Sequence, residues 1–171
     1  MVYHYKGGTF GFGFVNHSLY TGNLSYSPVD PSLEYWNFTS SGYAVGSGNF
    51  THVNISGVAD TGTTLMYLPD TIVKDYYSKI SGSSRSRSGS WYASCDATFP
   101  SFTFGVDSTM ITIPSKYMNY GLDSNDLCMG ALQSGETIGA NIFGDVAIMS
   151  AFVVFNGTSP PSVGWANKIL K

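Results

Sequence analysis

The sequence predicts a mainly β fold with one clear helix, and three observations carry the prediction. Charged residues make up only 11% of the 171, aromatics 15%, and Gly, Ser and Thr are abundant, which favours short strands and many turns over long helices. Apolar residues alternate with small or polar ones over much of the chain, the period of a strand with one buried face. One segment, Ile72, Val73, Tyr76, Tyr77 and Ile80, switches to helical spacing. The length suits a single domain over residues 1–171, able to bury about two-thirds of its unfolded surface without many covalent staples.

In chain order, Phe10, Phe12 and Phe14 and then Leu19, Leu24 and Tyr26 predict two strands, with Thr21-Gly22-Asn23 as a turn. Gly8, Gly11 and Gly13 have the wrong spacing for a dinucleotide fingerprint and no helix follows, so they read as strand and bulge glycines. Pro28 and Pro31 mark a loop, Tyr35 to Thr39 resumes as a strand, Gly42 to Gly48 turns, and His52 to Ile55 with Val58-Ala59 continue the meander. Pro69-Asp70 starts the helix and Ser81-Gly82 stops it after about three turns. Ser83 to Ser90, with Arg85 and Arg87, reads as a solvated loop.

Strands return at Trp91 to Ala93, Phe102 to Phe104 and Met110 to Ile113, and Pro114 to Asn119 forms a short turn or helix. Leu127 to Leu132 is a buried strand, and Ile142 to Asp145 leads to a short helix or turn ending near Ser150. Phe152 to Phe155 and Val163 to Ala166 close the sheet, with no internal repeat and no second-domain linker.

A net charge of −3, with no basic cluster beyond Arg85 and Arg87, argues against a nucleic-acid partner. The longest apolar run near the end, Ala151 to Phe155, is far too short to span a bilayer. Six of the ten asparagines, Asn16, Asn23, Asn37, Asn49, Asn54 and Asn156, sit in glycosylation acceptor tripeptides. Cys95 and Cys128 are compatible with one disulfide, worth roughly 3–4 kcal/mol in the chain-entropy model. With the acceptor tripeptides they point to a secreted glycoprotein in which that bond is formed. The start, Met1 to Lys6, has no apolar signal region, so the chain reads as a piece cut from a longer exported protein, either mature or engineered with an added Met1.

The histidines, His4, His17 and His52, lack ligand spacing, and there is no Cys-x-x-Cys, Gly-x-Ser-x-Gly or phosphate loop, so no metal centre, cofactor or Ser/Cys nucleophile is expected. What remains is an acid. Val58-Ala59-Asp60-Thr61-Gly62-Thr63-Thr64-Leu65-Met66-Tyr67-Leu68 holds a carboxylate in a polar turn between apolar runs. Such an Asp is tolerated where backbone N–H groups or a charge-sharing neighbour satisfy it, and acids of this kind cluster at functional sites.

That stretch, the following helix, the two cysteines, Ile142-Phe143-Gly144-Asp145, Phe152 to Phe155 and the ending Val163-Gly164-Trp165-Ala166 together resemble the C-terminal lobe of pepsin-like aspartic proteases, the fungal secreted ones in particular, over Gly11 to Lys168. The resemblance implies barrel-like packed sheets with one clear amphipathic helix and one or two short helical turns, and an Asp60 loop braced by the strand reaching Gly144. It makes Asp60 one of two catalytic aspartates that share a proton and activate water for peptide-bond hydrolysis at acid pH. Thr61 becomes the hydroxyl reaching to the other lobe, Gly62 the site of close substrate approach, and Thr63 a partner of the carboxylate. Thr64 and Tyr67 touch substrate, and Ile138 and Ile142 wall its apolar pockets. Peptide substrates and statine-type inhibitors bind the complete enzyme.

The chain also departs from the family pattern. Asp107-Ser108-Thr109 and Asp123-Ser124-Asn125 lack the glycine of a second motif, and no flap hairpin is evident. Half an active site is therefore expected, with the N-terminal lobe as missing partner, the isolated chain inactive or nearly so, and a face left apolar that drives weak self-association. Two other readings stand beside it. A one-Asp subunit of a homodimer, as in retroviral proteases, is weakened by the chain's length, and a non-catalytic pepsin-like binding or inhibitor module is weakened by the intact Asp60-Thr61-Gly62.

Overall fold

The computed structural model describes residues 8–124 and 126–169, so His4 and Asn125 lie outside the described residues. A 3-10 turn, His17–Leu19, precedes strand β1 (Thr21–Pro28). A hairpin follows, β2 (Asn37–Val45) and β3 (Thr51–Ala59), and then β4 (Met66–Leu68), helix α1 (Asp70–Ser78), β5 (Ser84–Arg85) and β6 (Trp91–Ser94). Next come β7 (Phe102–Val106), β8 (Thr109–Ile113), the short helix α2 (Ser115–Met118), β9 (Asn119–Ser124), β10 (Leu127–Gly130) and β11 (Leu132–Ser134). A 3-10 turn (Gly135–Thr137), β12 (Ile142–Phe143), the short helix α3 (Asp145–Ile148), β13 (Ala151–Asn156) and β14 (Ser162–Asn167) complete the chain.

Three sheets result. The large one runs β11-β4-β12-β3-β2-β7-β8, a second runs β1-β14-β13, and a third runs β5-β6-β10-β9. The mainly β fold with one substantial helix agrees with the expectation; among the described residues the short helical elements are the two four-residue helices α2 and α3 and the two 3-10 turns at 17–19 and 135–137. The core joins the first two sheets through four rings. Phe38 of β2 lies 4.7 Å from Phe143 of β12 and 5.1 Å from Trp165 of β14, and Phe104 of β7 lies 5.0 and 5.1 Å from the same two. Tilted and edge-on contacts of this kind add to the area buried by each ring.

Helix α1 buries Ile72, Val73, Tyr76 and Tyr77 on the predicted face, and Ile80 is buried just past its end. Tyr77 stacks on Trp91 of β6 at 4.7 Å and donates its hydroxyl to the Leu132 carbonyl at 2.8 Å, which ties the helix to the third sheet and to β11. Cys95 and Cys128 form the disulfide expected from the sequence, linking the end of β6 to β10. Asp70 opens the helix, where a negative charge complements the helix dipole, and is held by Lys74 at 2.7 Å and Arg85 at 3.2 Å. Arg85 therefore does not belong to a freely solvated loop; it lies in β5, which pairs with β6.

Several local expectations change. Residues 9–14 form no strand: Phe10, Phe12 and Phe14 are 83%, 86% and 67% exposed, and an alternating pattern makes a strand only where a partner supplies hydrogen bonds. Thr21 to Asn23 belong to β1, whose register against β14 shifts between Thr21 and Ser25. Gly42 lies within β2 rather than in a turn, at a register shift against β3 and with φ +148, a conformation that suits glycine. Leu127 to Leu132 splits into β10 and β11, and β9 and the 135–137 turn were not foreseen from the residue pattern.

Candidate active site

Asp60 stands at the end of β3, where the sheet itself delivers it. Strand β12 lies between β3 and β4, pairing parallel with the first (Ile142 to Val58, Phe143 to Ala59) and antiparallel with the second (Ile142 to Tyr67, Phe143 to Met66). Both arms of the 60–65 loop thus share one central strand. The Asp60 N–H donates to the Phe143 carbonyl at 3.1 Å, and the Ala59 N–H donates to Trp36 at 3.0 Å.

Beyond β12 the chain turns under the loop and braces it again. The Asp145 N–H donates to the Thr63 carbonyl at 2.7 Å, and the Val146 N–H to Thr64 at 3.1 Å. Gly144 makes this approach possible, since a Cβ there would collide with the backbone carbonyls of Thr63 and Leu65.

The carboxylate is held at both oxygens. Gly62 N–H donates to Asp60 Oδ1 at 2.8 Å, an Asx-type turn, and the Thr63 hydroxyl donates to Oδ2 at 2.6 Å. Asp60 is half-buried, whereas Thr61, Gly62 and Thr64 are exposed, and no hydrogen bond among the described residues engages the Thr61 or Thr64 hydroxyl. The carboxylate is thus fixed by its own loop while its neighbours stay open to solvent.

Paired residues on neighbouring strands share a face, so Asn37, Val58, Ile142 and Tyr67 form one row across β2, β3, β12 and β4. Ile142 and Tyr67, two of the predicted substrate contacts, are direct neighbours in that row, and both are half-buried. Ile138 is 48% exposed and lies outside it, just after the 135–137 turn. Of the acceptor asparagines, Asn16, Asn23, Asn49 and Asn54 are exposed, and Asn37 and Asn156 are half-buried.

One residue of the site escaped the sequence reading. Burial, and then the negative charge of Asp60, push the Asp145 carboxyl above its ordinary range. The available signal was an acid directly after the glycine of the bracing strand. Among the described residues no cluster of three or more His, Cys, Asp or Glu side chains is placed to hold a metal ion.

Comparison with known proteins places this geometry. The profile of the eukaryotic aspartyl protease family matches residues 2–168. The chain belongs to that family. Among aspartyl proteases it is similar to endothiapepsin of Cryphonectria parasitica, 50% identical over 164 residues, covering 94% of this chain and 39% of the relative. It is likewise similar to podosporapepsin of Podospora anserina, 48% identical over 166 residues, 95% of this chain and 39% of the relative. Penicillopepsin-3 of Penicillium janthinellum is 45% identical over 156 residues, 90% of this chain and 40% of the relative. The chain thus spans about two-fifths of the length of the aspartyl proteases it matches. The pepsin-like lobe expected from the residues agrees with the fold and with the family.

Proposed function

We propose that this chain is one half, the C-terminal lobe, of an extracellular aspartic endopeptidase, and that Asp60 is one of its two catalytic carboxylates. The observation that carries the reading is the carboxylate itself, donated to at 2.8 and 2.6 Å from its own loop while the residues around it stay exposed. A second aspartate comes from the N-terminal lobe. Two such carboxylates share one proton because like charges in contact cannot both ionise cheaply. The ionised member takes a proton from water as it attacks the peptide carbonyl, and the protonated member delivers its proton to the leaving amine.

The loop's contribution is positional. Gly62 N–H and the Thr63 hydroxyl fix the carboxylate, and the exposed Thr61 hydroxyl is available to the other lobe. Thr64, Tyr67, Ile142 and Ile138 contact the peptide, with the adjoining Ile142 and Tyr67 as the firmest wall. Secretion is supported by the disulfide and by the acceptor asparagines.

Binding of a statine-type inhibitor, followed by calorimetry, tests the reading. The chain alone gives no heat of binding. The chain complemented with the amino-terminal portion of a similar pepsin binds, and Asp60→Asn weakens that binding. Equal binding by the complemented parent and the Asp60→Asn variant would remove Asp60 from the site.

A further inference from the structure

We infer that Asn49 carries an N-linked glycan and that Asn37, in spite of its acceptor tripeptide, stays unmodified; this rests on the secretory reading above. Six tripeptides have the required Asn-x-Ser/Thr pattern, and the fold separates them. Asn49 sits in the connection between β2 and β3, and both Asn49 and the hydroxyl residue of its tripeptide, Thr51, are exposed. Neither side chain makes a hydrogen bond among the described residues.

In the other five, one or other group is engaged. Asn16 and Asn156 accept at Oδ1 from the hydroxyls of Ser18 and Thr158, each at 2.8 Å. The hydroxyl serving Asn23, that of Ser25, is buried against Thr109 at 2.8 Å. Ser56, which serves Asn54, donates its hydroxyl to Asn37 Oδ1 at 2.9 Å, and this one contact occupies both tripeptides.

Position reinforces the choice. Thr51 to Ala59 is a strand length of about 25 Å, so a saccharide on Asn49 projects from the end of the hairpin remote from Asp60. Asn37 lies in the row of Val58, Ile142 and Tyr67, two strands or about 10 Å from Ile142, where a saccharide would stand over the peptide-binding face. In the transfer, the Asn49 amide nitrogen attacks the anomeric carbon of a lipid pyrophosphate-linked oligosaccharide. The C–N bond forms as the C–O bond to pyrophosphate breaks, and the amide gives up one proton.

The test uses the native protein, sought in culture medium and in cell extract, then treated with peptide N-glycosidase in heavy-oxygen water and mapped by peptide mass spectrometry. Protein in the medium with heavy oxygen at position 49 and none at position 37 is the expected result. Protein in the medium with position 49 unlabelled, or with position 37 labelled, overturns the assignment and leaves the secretory reading standing. Protein confined to the cell extract, with all six positions unlabelled, overturns both. An Asn49→Gln variant gives a second readout, since it removes one glycan's worth of glycosidase-sensitive mass while Asn37→Gln removes none.

Discussion

The Thr63 hydroxyl donates to Asp60 Oδ2 across 2.6 Å, and the same residue's carbonyl receives the Asp145 N–H at 2.7 Å, so Thr63 couples the carboxylate to the start of α3, just past the strand that braces its loop. Replacing Thr63 by Ala removes one partly buried hydrogen bond to a charged group. The variant is expected to unfold about 1–2 kcal/mol more easily, with Thr63→Ser recovering most of the loss. Urea unfolding of the three proteins measures this; equal midpoints would mean that the bond contributes nothing to the fold.

The Gly144 approach makes a sharper demand. An added methyl at this position meets backbone oxygens that cannot rotate away, so Gly144→Ala should cost about 3 kcal/mol or more. At Gly157, where a Cβ would meet nothing within 4 Å, the same substitution should be nearly neutral. Paired thermal and urea unfolding of the two variants reads the contrast.

Two acids should give opposite pH dependences. Burial and then the Asp60 charge raise the folded-state value for Asp145, so nothing is lost while it is protonated and stability falls as pH rises through the raised value. Asp145→Asn is therefore expected to gain on the parent from acid towards neutral pH, with no such gain below about pH 4. For Asp70, the Lys74 hydrogen bond leads the causes that outweigh desolvation and hold the carboxyl below its ordinary range. Its contribution is complete above about pH 4 and is lost as pH falls through the lowered value. Asp70→Asn should be weaker than the parent at neutral pH, with the gap closing in acid. Unfolding free energies measured from pH 2 to 8 distinguish the two signs, a range of about two units below and four above the ordinary carboxylate value.

Much of this was readable because it depends on neighbours in sequence. The Asp60 loop is a local turn between apolar runs, and α1 keeps its helical period from Ile72 to Tyr77. The role of Asp145 was not readable, because it arises when β12 inserts between β3 and β4, a pairing that no local pattern encodes. The Phe10, Phe12 and Phe14 alternation misled for the converse reason: it has the period of a strand without a strand beside it. Arg85 looked like loop decoration because its partner, Asp70, is brought to it only by the packing of α1 against the β5 region.

Those three exposed phenylalanines also predict behaviour in solution. Large apolar side chains left this exposed favour contact between copies, so sedimentation should show weak, concentration-dependent association of the chain. Replacing Phe10, Phe12 and Phe14 together by Ser should lessen it. A sharply monodisperse monomer at high concentration would contradict the expectation.

On the proposed reading this chain supplies one catalytic carboxylate and needs a second from another lobe. Peptide cleavage at about pH 4, where a proton-sharing pair operates, tests it most directly, with Asp60→Asn as control. The folded chain alone is expected to give no cleavage, and addition of an amino-terminal lobe to give cleavage that disappears with Asp60→Asn. Cleavage by the chain alone that is abolished by Asp60→Asn would contradict it, because a complete site would then assemble from copies of this one sequence.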